Sequence, residues 1–177
     1  MSGSSSFKYV CFSLCLYLAL NGNNVAIQGA PNGAPRLACG DMTPQHGVDP
    51  QTSVSPYATT PSSASIAQGS KVTLTLAPID SVDTFKGFLV IGFDNANQAG
   101  GPIGSFSAIS EGQTLDCPGV NAMNAATHMS NANKTSVTMD WTAPAGFVGT
   151  VLFKTSYVQQ VDLFWVATPA TSLVTVA

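Results

Sequence analysis

The sequence predicts an all-β fold, a two-sheet β-sandwich closed by one disulfide. Three observations carry that expectation. Seven short runs rich in Val, Phe, Trp and Thr follow one another after Gly69, separated by clusters of Gly, Pro and Asn. No stretch of that region sustains a 3.6-residue apolar period with caps, as a packed helix would. The third observation is the cysteine count: with Cys11 and Cys15 inside an apolar leader, only Cys39 and Cys117 remain in the body of the chain. Two thiols in an oxidising compartment most simply form one bridge.

The 177 residues suit one domain, since two cores of about 100 residues each would need a longer chain. Lys8 precedes an apolar run over residues 9–20, which the polar residues Asn21, Gly22, Asn23 and Asn24 interrupt. A membrane-spanning helix needs about 20 apolar residues, so this shorter run reads as a secretory signal peptide. Residues 1–29 are assigned to it, with cleavage expected between Gly22 and Ala30, and residues 30–177 to a single exported domain with no membrane span.

Residues 30–65 hold Pro31, Pro35, Pro44, Pro50, Pro56 and Pro61. Each proline fixes φ and removes a backbone donor, which predicts an extended arm, tied to the body through Cys39. Beyond Gly69 the pattern turns to period two. Val72, Leu74 and Leu76 alternate with Lys71, Thr73 and Thr75, and Pro78 ends the strand. The continuous apolar run 88–93 predicts a central strand, and 105–109 a weaker one. In 135–141, Val137, Met139 and Trp141 share one face while Ser136, Thr138 and Asp140 share the other. Ala143, Pro144, Ala145 and Gly146 make the following turn. Three further strands are predicted at 150–157, 163–167 and 173–176. Residues 121–133 read as a polar loop, and no internal repeat is visible. Trp141 and Trp165 are expected in the core, by their place in apolar strand patterns.

Composition narrows the function. Charged residues make up 8% of the chain, against about 25% in ordinary soluble domains. A formal charge of -3, a sequence pI of about 4.9 and the lack of a basic cluster exclude a phosphate-tracking nucleic-acid surface. They also disfavour a cationic membrane-lytic peptide. No G-x-S-x-G elbow, H-E-x-x-H, P-loop or dinucleotide-binding glycine pattern occurs. Asp80 and Asp83 border turns, where Asp is expected for local hydrogen bonding. His46 and His128 lie far apart in sequence, each in an expected polar loop, and without a CxxC they do not complete a zinc set with Cys39 and Cys117. No catalytic residue, metal or cofactor is therefore assigned, and no ligand-binding residue is identified. Asn133-Lys134-Thr135 is an N-x-[ST] sequon, and glycosylation of Asn133 is expected.

Several dispersed segments in order carry a resemblance. They are Ala38-Cys39-Gly40-Asp41-Met42, Pro44-Gln45-His46-Gly47, Pro56-Tyr57, Phe85-Lys86-Gly87-Phe88-Leu89, Leu115-Asp116-Cys117, Thr127-His128, Trp141-Thr142-Ala143-Pro144 and Phe164-Trp165-Val166. Together they resemble the reeler (reelin N-terminal) domain, in the short form of the secreted arthropod defence proteins of the noduler type. The resemblance runs from Ala30 to the C-terminus. It implies an immunoglobulin-like β-sandwich with a Cys39–Cys117 bridge and a non-enzymatic role in extracellular defence. The partners it implies are microbial envelope components such as lipopolysaccharide, and the surface of haemocytes in the haemolymph. The chain ends at Ala177, which favours that stand-alone form over the longer reelin, spondin and ferric-chelate reductase relatives. An extracellular-matrix or cell-adhesion module without a defence role is the alternative expectation.

Overall fold

A computed structural model describes residues 29–80, 83–119 and 122–177. Residues 1–28 of the expected leader, and with them most of the region of its cleavage, lie outside the described residues. The described residues form eleven strands: β1 (Tyr57–Pro61), β2 (Ser65–Ile66), β3 (Lys71–Pro78), β4 (Gly87–Asp94), β5 (Ser105–Ser107), β6 (Gly112–Leu115), β7 (Ala125–His128), β8 (Val137–Thr142), β9 (Gly149–Gln160), β10 (Leu163–Pro169) and β11 (Val174–Val176). They form the expected sandwich. The smaller sheet has the order β1-β3-β8-β5, the larger β2-β11-β9-β4-β7-β6, with β10 added along the second half of β9.

The alternation in the sequence sets the register. Val72, Leu74 and Leu76 on β3 stand opposite Trp141, Met139 and Val137 on β8, so one row of apolar side chains faces the other sheet. All six are buried, as is Trp165. The continuous run in β4 has a different cause. This strand lies between β9 and β7 and is covered on both faces, so neither face tolerates a polar residue.

Between the sheets the core is aromatic. Tyr57 packs edge-on against Phe85 and Trp165 and lies 5.2 Å from Tyr157, while Trp141 meets Phe153 edge-to-face at 5.1 Å. The polar atoms buried there are paired. Trp141 Nε1 donates to the Ile103 carbonyl at 3.1 Å, and Thr59 Oγ1 lies 2.6 Å from both Thr155 Oγ1 and the Tyr157 hydroxyl across the sandwich. Burial pushes the Tyr157 phenol well above its ordinary range, against the smaller opposing effect of the two threonine hydroxyls. Gly104 has φ +71°, and a Cβ there would collide with the Trp141 indole, so the chain entering β5 needs glycine on both counts.

Two expectations change. The proline-rich segment is not an arm throughout: its C-terminal part pairs as edge strand β1 and the short β2. Edge strands accept proline because their outer donors need no partner, and Pro61 closes β1. The expected loop 121–133 contains β7, all four residues of which are buried. Ala-Ala-Thr-His has no alternation to read, because small residues are needed where β7 is covered on both sides.

Candidate functional site

The outer face of the larger sheet is covered by the arm. Leu89, Ile91 and Ala125 present apolar side chains there, and Ala38, Cys39, Met42 and Cys117 pack onto them as a second, smaller core. A short 3-10 helix, Arg36–Cys39, brings Ala38 and Cys39 inward. The Cys39–Cys117 disulfide closes the contact, with the two Cα atoms 5.6 Å apart. Backbone groups of the arm find partners on the sheet. Ala34 N–H donates to Thr127 Oγ1 at 2.8 Å, and Ser156 Oγ donates to the Met42 carbonyl at 2.6 Å while accepting from Ala167 N–H.

Next to this second core the arm stands off the sheet and leaves a cavity of about 400 Å³. Pairing places its parts. Leu89 is opposite Thr127 and Ser156, and the residues above that row, Ala34, Ala38 and Met42, make the inner end. Gly87 is opposite Val158, one strand step (two residues, about 7 Å) nearer the strand end. There the lining turns polar, with Lys86, His46, Asn131 and Gln160.

The structure brings His46 and His128 together at this end. His128 sits at the end of β7, not in a polar loop, and is only 8% exposed. Its Nδ1 accepts from Phe88 N–H at 3.2 Å, so the proton of the neutral ring belongs on Nε2, which donates to the Ala30 carbonyl at 3.0 Å. Burial moves its pKa below the ordinary value of 6.5. The carbonyls of Ala30 and Phe88 oppose that shift, and the charges of Lys134 and His46 add to it. His46, on the arm, sets its ring edge-on to Phe164 at 5.3 Å. Its Nδ1 is buried without a hydrogen-bond partner. A Cβ on Gly29 would lie 2.5 Å from His46 Nε2, so the stretch Gly29–Ala30 runs tightly between the two imidazoles.

Lys134, the middle residue of the sequon, is 1% exposed. Its ammonium donates to the carbonyls of Lys86, Ser130 and Ala132 at 2.8 to 2.9 Å, which pins the segment after β7 to the start of β4. Burial lowers its pKa, and Glu111 partly offsets this. Asn133 and Thr135 point into solvent on either side. Sequence reasoning missed this lysine, since a lone Lys among Asn, Ala and Thr carries no sign that its ammonium is enclosed.

His128 and Ser156 each hold a backbone carbonyl of the arm, which positions the arm on the sheet. The one hydroxyl lining the inner end, that of Ser156, is committed to the Met42 carbonyl. No three His, Cys, Asp or Glu residues come together as a metal set among the described residues.

The family model of the Reeler domain matches residues 37–177. The Drosophila melanogaster protein named Defense protein l(2)34Fc is 34% identical over 166 residues, covering 90% of this chain and 93% of that one. Mus musculus Ferric-chelate reductase 1 is 33% identical over 147 residues, covering 82% of this chain but 24% of the reductase. The chain spans only about a quarter of the length of the reductases it matches, 23% to 26%. Among solved structures, the human F-spondin reeler domain superposes with a TM-score of 0.58 over 73% of this chain and 94% of that domain, at 18% identity, a likeness of fold. The two-sheet architecture, the bridged arm and the family match over most of its length establish that the chain belongs to the Reeler domain family.

Proposed function

We propose that this protein is a secreted, non-enzymatic recognition module of innate defence, which binds microbial envelope material and the haemocyte surface. One observation carries the reading: the chain aligns with nearly the whole length of the Drosophila defence protein, whereas it matches a quarter of the reductases. The similarity to the reductases is confined to the reeler region, so it brings no reductase activity with it. Export, expected from the leader, and a small body stapled by a disulfide suit an extracellular life. Among the described residues no helix is long and apolar enough to cross a membrane.

Loops at one end of the larger sheet supply a polar rim for recognition. The segment 95–104 and residues 116–119 meet there, joined by the Phe93–Pro102 bridge and the approach of Gly119 to Pro102. With nine acidic and six basic side chains in the chain, binding to an anionic envelope polymer is expected to rest on hydrogen bonds and apolar contact and to change little with salt. The test is sedimentation of the secreted protein with intact bacteria, fungal wall and haemocytes across a salt series. Sedimentation with the cells supports the reading. Association with extracellular matrix and none with cells would replace it by the adhesive role.

Glycosylation of Asn133 belongs to the same proposal. Its exposed side chain lies at the opposite end of the sheet from that rim, so a glycan there leaves the rim open. A glycosidase-sensitive mass shift that disappears in Asn133→Gln is the expected result, and an unshifted native protein rejects it.

A further inference from the structure

The cavity under the arm has the make-up of a ligand site that neither the fold nor the defence reading explains. Ligand pockets are commonly 300–1,000 Å³ in volume, mostly apolar, with a few convergent polar groups. This one, at about 400 Å³, has room for one small molecule and not for a lipid of several chains. Its inner end is apolar, formed by Ala34, Ala38, Met42 and Leu89. At its other end stands Lys86, half-buried, a cation with no ion pair: the single salt bridge among the described residues joins Lys71 and Asp140. His46, in the same lining, keeps a buried nitrogen with no partner. A buried polar group usually has one, so a small ring rotation toward an oxygen-bearing group would complete it.

We infer that the cavity binds one single-chain amphiphile with an anionic head group, of the medium-chain carboxylate type, its tail toward Leu89 and its head at Lys86 and His46. The charge of Lys86 selects an anion, the one-chain volume selects a single tail, and the arm, held by its bridge, forms the roof. The site is independent of the rim at the far end of the sheet, so it stands or falls apart from the defence reading.

Titration calorimetry on the disulfide-bonded protein tests this, with decanoate, decanol and dispersed lipopolysaccharide as probes. One decanoate per chain is expected, with decanol about tenfold weaker because it forgoes the charge-assisted contact. Lys86→Gln should bring decanoate down to the decanol level and leave decanol unchanged. Ala34→Phe, which fills the inner end from the arm, should abolish both; if its thermal midpoint shows that it does not fold, Val158→Phe at the polar end serves instead. Failure of decanoate to bind, or binding indifferent to the filling variant, overturns the inference. Binding seen only in a chain beginning at Gly29, and lost in one retaining residues 23–28, assigns the cavity to that segment and also overturns it. Lipopolysaccharide bound without decanoate overturns this site and leaves the defence reading standing; decanoate bound by a protein that sediments with no microbe does the reverse.

Discussion

The two faces of the larger sheet are covered in different ways. On the inner face another sheet supplies rows of large side chains, and Tyr57, Phe85, Trp141, Phe153 and Tyr157 are each at most 1% exposed. On the outer face the cover is an arm interrupted by Pro31, Pro35 and Pro44, with a four-residue 3-10 turn as its regular structure. Sheet meets sheet in register and fills its space. An arm held at scattered points, by a disulfide, Ala34, Met42 and the Ala30 carbonyl, fills it incompletely, and the remaining space is the cavity. The inner face thus holds the large buried side chains, while the outer face keeps open space beneath its cover.

Substitutions on the two faces should separate these roles. The largest effect is expected inside, where Trp141→Ala removes the indole packed on Phe153 and Gly104. A loss of about 3 to 5 kcal/mol is expected in denaturant unfolding of the whole chain. A loss under about 1 kcal/mol would show that the inner face is not the determining one.

Next comes the bridge. Replacing Cys39 and Cys117 together by Ala should cost about 2 to 5 kcal/mol, because the unfolded chain regains the freedom of a loop of 78 residues. Hydrogen exchange and limited proteolysis should show the damage concentrated in the arm, residues 31–47, with β3 and β8 still protected. Equal loosening of both faces would show that the arm and the sandwich open as one unit.

The smallest effect is that of pH on the outer face. His128 is neutral when folded and its pKa is lowered from 6.5, chiefly by burial. Between that lowered value and 6.5 the unfolded chain binds the proton and the folded one does not. The stability that neutral His128 contributes is therefore complete above 6.5 and is lost as pH falls through the folded value. The thermal midpoint should drop on acidification in the wild type and drop less in His128→Asn, with the arm opening first. Identical profiles for the two proteins would remove His128 from the contact.

The strands facing the core were legible because burial on one side writes itself into the chain as alternation. Residues 71–76 and 135–141 are the plainest cases, and the pairing of β3 with β8 follows that pattern. Cys39 and Cys117 were legible by elimination, and the structure bonds them. Strand β7 was not legible, because the arm covers the face that would otherwise carry polar residues. Strands β1 and β2 were hidden by proline, which an edge strand tolerates. The cavity and the meeting of His46 with His128, 82 positions apart, left no local mark at all.

By itself, then, the sequence determined that the chain is β and that Cys39 and Cys117 are bridged, since composition, period and cysteine count act locally or through sums over the chain. Only the tertiary structure decided where the arm lies. Its position rests on contacts between residues far apart in sequence, Ala34 with Thr127, Met42 with Ser156, Ala30 with His128. No periodic signal encodes such contacts, because each is a single hydrogen bond or a small apolar contact, and their geometry exists only after the sheet beneath them has formed.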